Sequence, residues 1–338
     1  MNIQEAIAQL VDGSNLNEEQ MVDVMNQVMT GDATPIQVGA FLTALRIQGE
    51  TVEEVTGAAR VMREKALHID AGEGCVLDTC GTGGDGKNTF NISTTVAFVV
   101  TAAGITVAKH GNRAVSSGSG SADVLGALGV KIDVPKETVE RCLREVGLGF
   151  LFAPAMHGAM KYAAAPRREV GIRTIFNLLG PLTNPARASH QLIGIYDGAL
   201  IGTVAQVLGN LGSERAMVVH GDEGLDEISL GGPTSVAEWK DGAVARYTLN
   251  PEDFGFERRP AARLTSADAA ESAATVTSVL EGEPGAARDV VVLNSGAALC
   301  VAGRAETIAD GIDLARERID SGAALEKLEH LVRLTHES

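Results

Sequence analysis

Residues 76–95 read VLDTCGTGGDGKNTFNISTT, and how that stretch is read decides the fold. Its apolar start has the character of a buried strand. Four of the six residues from Gly81 to Gly86 are glycine, and a helix is predicted over 92–103. Glycines after a strand adopt backbone angles closed to other residues and leave main-chain N–H groups open to an anion. Unpaired N–H groups at the start of the next helix strengthen that field, and Asn91, Ser93, Thr94 and Thr95 add short side-chain donors. A phosphate or diphosphate fits such a strand–turn–helix. Walker A does not, because Gly86-Lys87 is followed by Asn88 where Ser or Thr is needed. A dinucleotide loop has the right spacing in Gly81, Gly83 and Gly86, yet no acid lies about twenty residues on to hold a ribose.

Working outward, strand patterns recur at ITVAKHG, GLGFLFA, HQLIGIY and RAMVVHG, with helical patterns at 136–146, 155–168 and 199–210 between them. That alternation predicts an α/β sheet binding ligands at the carboxyl ends of its strands. Upstream, the first seventy residues read as all-helical. NEEQ from Asn17, TPIQ from Thr34 and TVEE from Thr51 each place Gln or Glu three residues after a capping residue. Val38, Phe41, Leu42 and Leu45 fall on one helical face. Downstream, TSVAEWK and AVARYTL around Asp241-Gly242 predict a hairpin, and helices are expected over 268–280, 307–321 and 322–334. DVVVLNSGAALCVAG begins like a strand and continues like a helix; its length favours a helix.

Forty-four acids against 28 bases give a net charge of −16, a balance that repels nucleic acid unless one face is basic. Residues 107–175 run the other way, with ten Lys or Arg against six Asp or Glu, so an anionic substrate belongs there. Trp239 and three tyrosines are too few for a base-stacking platform. No apolar run approaches the length of a membrane span, and the opening MNIQEAIAQLVDGS lacks a basic secretory start. Cys75, Cys80, Cys142 and Cys300 form no CxxC pair and read as reduced thiols of a cytoplasmic protein.

Three further segments carry chemistry. In KHGNRAVSSGSGSAD, Lys109, His110, Asn112 and Arg113 end a strand, and the hydroxyls from Ser116 to Ser121 lead into a helix. Strand alternation sends Lys109 and Gly111 to one side and His110 to the other. GDEGLDEIS gathers Asp222, Glu223, Asp226 and Glu227, which suit magnesium bridging to phosphate, a solvated acidic turn being the plain alternative. Arg167 and Arg168 end a helical run whose last turn Pro166 should break, and an arginine fork suits a substrate carboxylate. His157 is either a pocket residue or a packed one. NLLGPLTNP reads as an apolar turn crossing between lobes.

Taken in order, DTCGTGGDG, FNIST, KHGNRAVSSGSGSADVL, RREVGIRTIFNLLGPLTNPA and GLDEIS resemble the anthranilate phosphoribosyltransferases, a family with the nucleoside phosphorylase-like phosphoribosyltransferase fold. The resemblance spans nearly the whole chain, the helical start and the late LNSGAALCVAG included. It implies an α/β protein, a central sheet flanked by helices with a smaller all-helical N-terminal domain. Residues 1–70 would form that lobe and pair two chains as a homodimer. Residues 71–338 would form the catalytic domain, with a segment near 165–185 crossing to the lobe. The implied reaction is magnesium-dependent transfer of the 5-phosphoribosyl group from phosphoribosyl pyrophosphate to the anthranilate amine, giving N-(5-phosphoribosyl)anthranilate and pyrophosphate in tryptophan biosynthesis.

Carried over residue by residue, the resemblance places the donor on Gly81, Gly83, Gly84, Asp85, Thr89, Asn91, Ser93, Thr94, Lys109 and Ser121. It places anthranilate near Gly81, His110, Asn112 and Arg167, with Arg167 rather than Arg168 facing the carboxylate. Ser93 would serve one Mg2+ ion, and Asp226 with Glu227 the other. Lys109, His110 and Asn112 would position and stabilise, with no certain acid–base catalyst. Neither a nucleic acid nor a membrane is an expected partner. Two departures stand out: Gly158 in HGAMK, where the family often has proline, and Gly126 in VLGALG, where it often has an acid. The rival readings are a pyrimidine nucleoside phosphorylase and a silent relative that binds nucleic acid.

Overall fold

The computed structural model describes residues 1–114 and 118–337, so Ser116 and Ser117 of the second loop lie outside the described residues. Four helices come first: α1 (Ile3–Val11), α2 (Glu18–Thr30), α3 (Pro35–Gln48) and α4 (Val52–Lys65). Asn17, Thr34 and Thr51 each accept the N–H three residues on, while Gln20, Gln37 and Glu54 reach back to close the capping boxes. Each such cap stabilises by about 1 kcal/mol. A fourth box, Asn2 with Glu5, starts α1, and the sequence reading passes over it. Val38, Phe41, Leu42 and Leu45 form the buried stripe of α3, as their spacing predicts.

From β1 (Val76–Gly81) the chain alternates through α5 (Ile92–Ala102), β2 (Thr106–Gly111), α6 (Ser121–Ala127), α7 (Lys136–Glu145) and β3 (Leu148–Phe152). It continues through α8 (Ala153–Met156), α9 (Lys161–Val170), α10 (Phe176–Leu182), β4 (His190–Gly194), α11 (Ile201–Asn210) and β5 (Arg215–Gly221). The hairpin of β6 (Thr234–Lys240) and β7 (Ala243–Leu249) turns at Asp241 and Gly242, both in the left-handed region as an Asp-Gly turn requires. Helices α12 (Ala269–Leu280), α13 (Ala286–Val301), α14 (Ile308–Asp320) and α15 (Ala323–His336) follow.

The strands form one sheet in the order β3-β2-β1-β4-β5-β6-β7, parallel from β3 to β5 and antiparallel beyond. Both faces are covered. Along β5, Met217 and Val219 enter the core with α5 and α13, while Ala216 and Val218 enter the core shared with the helical lobe. The ambiguous late stretch is the helix α13. It is buried continuously from Val290 to Val301, so it shows no polar face to give its period away. No helix of the described residues is long and apolar enough to cross a membrane.

Three expectations are corrected. The helix over 155–168 is divided, because His157 sits at φ −117°, ψ 60° and a 3-10 turn of Gly158–Met160 separates α8 from α9. Pro166 does not break the last turn. It lies inside α9, which runs on to Val170 and stops at Gly171 in the left-handed region. A proline there forfeits one N–H bond, and burial of Ala163 and Pro166, with α9 laid against α3, carries the helix through. NLLGPLTNP is not a plain turn either, since α10 runs to Leu182 with Pro181 inside it before the buried Thr183 and Asn184.

Candidate active site

Strand β1 is flanked by β2 on one side and β4 on the other, so the chain's winding reverses across it. A crevice opens at the carboxyl ends of strands at such a reversal. Gly81 and Gly194 are register partners there, and both leave room for Asp226. A Cβ on Gly194 would lie 1.5 Å from the Asp226 carbonyl oxygen, and one on Gly81 would lie 2.5 Å from Asp226 Oδ2. Gly83, Gly84 and Gly86 all have positive φ, the reason this turn is glycine-rich. The resulting cleft encloses about 550 Å³.

The acidic loop splits in two. Asp222 accepts from Ser235 and Glu223 from Ser229, both away from the cleft. Asp226 and Glu227 turn inward and are buried. Asp226 Oδ2 accepts the Gly83 N–H at 2.8 Å, and Glu227 Oε1 accepts the Ser93 N–H at 3.1 Å in the first turn of α5. The two acids thus rest on the N–H groups that the glycine loop and helix offer an anion. Burial, then the neighbouring Asp85, pushes Asp226 up to about 7; burial, then Asp226, pushes Glu227 up to about 8. Asp85 accepts the Lys87 N–H through Oδ1, while its buried Oδ2 has no partner.

These oxygens fit magnesium. Asp85 Oδ2 is an orphaned acceptor, and burial of Asp226 and Glu227 outweighs the one cation that favours their ionisation, Lys109 beside Glu227. Among the described residues no three His, Cys, Asp or Glu side chains close into a ready-made cage. Magnesium needs none, since it keeps waters and takes its remaining oxygens from substrate phosphates.

Lys109 enters from β2 beneath this loop, 2% exposed, and donates to the Thr79 carbonyl and to Ser93 Oγ. Burial lowers its pKa, with Asp78 and Glu227 acting against that shift. Asn91 accepts from Ser272 and Ser119, Ser121 donates to the Asn112 carbonyl, and Thr89 bridges to Thr265, all along the cleft wall. Thr94 is the exception among the expected donor contacts. Its hydroxyl is buried without a partner beside a small interior cavity, so only its backbone N–H could reach the helix start.

At the other end of the cleft the histidines are neutral and enclosed. His110 Nδ1 meets the Gly180 carbonyl at 3.1 Å and its Nε2 meets His157 Nε2 at 3.2 Å, so neither nitrogen faces the cleft. Burial pushes His110 down to about 3 and His157 to about 4. Asn112 lines the same wall. Arg167 lies over the Phe176 ring at 4.9 Å, and burial lowers its pKa. Three successive backbone units behind this wall are each held by a different element: Gly180 by His110, Pro181 by Gln191 and Leu182 by Arg63. Asn184 adds bonds to Asp78 and the Ala108 carbonyl.

The structure therefore brings Gly81, Gly83, Gly84, Asp85, Thr89, Asn91, Ser93, Lys109, His110, Asn112, Ser121, Arg167, Asp226 and Glu227 to one cleft. Sequence reasoning missed Asp78, Asn184, Arg173 and Tyr196. DTCGTGGDG holds Asp78 in plain view, but its partner lies over a hundred residues away.

Two family profiles match the chain: a glycosyl transferase family helical bundle domain over residues 4–66 and the corresponding a/b domain over 73–325. The anthranilate phosphoribosyltransferase of Trichlorobacter lovleyi is 55% identical, over 99% of this chain and 100% of that protein. The crystal structure of the Thermus thermophilus anthranilate phosphoribosyltransferase matches with a TM-score of 0.93 at 42% identity, over 98% of this chain and 99% of that one. The Saccharomyces cerevisiae enzyme, solved in complex with phosphoribosyl pyrophosphate and Mg, matches at 0.90 and 29% identity, over 99% and 98%.

Proposed function

The chain belongs to the anthranilate phosphoribosyltransferase family, and from that premise we propose how its cleft divides the work. It is an enzyme that transfers the phosphoribosyl group of phosphoribosyl pyrophosphate to anthranilate in tryptophan biosynthesis, and Mg2+ takes part. The donor's diphosphate lies along the glycine loop of Gly81 to Asp85 and the start of α5 at Asn91 and Ser93, with Lys109 beneath. Anthranilate lies toward His110, Asn112 and Arg167, whose guanidinium faces the carboxylate. Two magnesium ions are held, one by Ser93 and one by Asp226 and Glu227; when bound they supply positive charge against the diphosphate.

The anthranilate nitrogen attacks the ribose C1, the C1–oxygen bond to the diphosphate breaks, and pyrophosphate leaves. Loop N–H groups and Lys109 act in the step because charge grows on the departing oxygen, and fixed donors aimed there stabilise the transition state most. Holding both partners in one cleft supplies much of the rest. The attacking nitrogen of an arylamine is neutral near pH 7, and the arylammonium first formed is acidic enough to lose its proton to water. His110, with both nitrogens engaged, shapes the wall instead of taking that proton.

One observation carries this reading: two distant parts of the chain, the stretch from Gly83 to Ser93 and the loop of Asp226 and Glu227, meet through direct hydrogen bonds above Lys109. Fluorescence of anthranilate should fall when protein, phosphoribosyl pyrophosphate and Mg2+ are combined. A folded sample giving no fall, with release of base from a pyrimidine nucleoside in phosphate instead, would replace the reading by its phosphorylase rival.

The division at residue 70, with 165–185 crossing over, is supported by α9 lying against α3. Pairing of two chains through the helical lobe is supported by Ile36 and Ile47, 84% and 81% exposed about three turns apart on α3. Light scattering on an Ile36→Lys, Ile47→Lys variant should show a monomer where the unaltered protein shows a dimer.

A further inference from the structure

Two arginines reach the cleft from the segment 167–173, Arg167 within α9 and Arg173 beyond its end, and only Arg167 has a role so far. Arg173 crosses the mouth of the cleft, lays its guanidinium over the Tyr196 ring at 3.9 Å and donates from Nη2 to the Gly84 carbonyl at 2.5 Å. Tyr196 is itself tied to the loop, its N–H donating to Thr82 Oγ1 at 3.1 Å, while the Thr82 N–H donates to the Gly194 carbonyl. From these contacts we propose that Arg173 is a positioning residue for the diphosphate end of the donor, acting through the peptide that joins Gly84 to Asp85.

A peptide group is planar, with its C=O and N–H on opposite sides, so holding the Gly84 oxygen outward aims the Asp85 N–H the other way. Gly84 has no side chain and a φ of 75°, so nothing local stops that peptide from turning over. Asp85 follows directly, with its orphaned buried Oδ2 beside Asp226. An anchor outside the loop thus orders an N–H donor and a carboxylate together, before any ligand arrives. The choice of arginine is specific: its flat face stacks on a ring while its edge donates, which a lysine ammonium does not reproduce. Because Arg173 shares a segment with Arg167, the tie also joins the aromatic end of the cleft to the diphosphate end.

The proposal rests on the glycine loop being the donor's cradle. Steady-state kinetics of the full-length protein with Mg2+ test it. Arg173→Ala should raise the donor KM about tenfold and leave the anthranilate KM within about twofold. Arg173→Lys should not restore it, Tyr196→Phe should behave as the unaltered protein, and Tyr196→Leu should resemble Arg173→Ala. Hydrogen exchange of residues 83–87 without ligand should speed up in Arg173→Ala. A donor KM left unchanged, or both KM values rising equally as general loosening would give, overturns the proposal. If Arg173→Ala does not fold, the Tyr196 pair decides. Failure of the donor to protect residues 83–87 in the unaltered protein would overturn the cradle itself, and this inference with it.

Discussion

The two ends of the cleft bury ionisable groups to a similar depth and treat them oppositely. At the diphosphate end Asp226 and Glu227 are raised to about 7 and about 8 and borrow backbone N–H groups. At the aromatic end His110 and His157 are lowered to about 3 and about 4 and use protein partners on the nitrogens that face inward. Burial disfavours charge in both cases. What differs is whether the partners are complete. The histidine end is finished and rigid, suited to gripping a flat ring. The carboxylate end is short of positive charge, and gains it only when metal and donor arrive.

The comparison breaks most visibly at the acids. Asp226→Asn with Glu227→Gln should cut turnover about a thousandfold at saturating Mg2+. Turnover with unchanged magnesium dependence would remove the pair from metal binding and leave it a buried brace for the glycine loop. Next is Arg167→Ala, which should raise the anthranilate KM roughly thirtyfold, the scale of a lost charge-assisted carboxylate contact, with little change for the donor. Equal effects on both substrates would remove Arg167 from the aromatic end.

Stability against pH sharpens the contrast. An acid whose folded pKa is raised takes up a proton on folding, so its stabilising share is present at low pH and lost as pH climbs through the folded value. In the metal-free protein the unfolding free energy should fall by on the order of 2 kcal/mol between pH 6.5 and 8.5. The lowered histidines act in the opposite sense, below about pH 6.5, where the unfolded chain binds protons they refuse. Urea titrations at each pH check this, and Asp226→Asn with Glu227→Gln should flatten the upper limb. The smallest effect belongs to the departures from the family pattern. No atom lies within 4 Å of a Cβ built on Gly158 or Gly126, and neither has positive φ, so alanine at each should stabilise by about 0.5–1 kcal/mol in thermal unfolding.

What could be read in the sequence follows the range of the forces involved. Caps at Asn17, Thr34 and Thr51, the Asp241-Gly242 turn and the glycine loop depend on neighbours within a few residues, and all are present. GDEGLDEIS shows four acids, but which two face inward depends on the tight turn that returns the Gly221 N–H to Leu225 and on Gly81 and Gly194 making room. Thr94 shares a polar stretch with Asn91 and Ser93, yet one helical step turns its hydroxyl into the core. His157 carries no local sign, because its partner His110 lies far off in the sequence, on β2. The split of the 155–168 helix followed from one non-helical residue that no periodicity reveals.

The chain from Gly180 to Leu182 has its backbone claimed, unit by unit, by side chains from β2, β4 and α4. A single inserted or deleted residue would shift all of those pairings at once, whereas a point change disturbs one. The length of this passage is therefore frozen even where its composition can vary, and an alignment gap placed here would mark a protein that has given up the pocket wall.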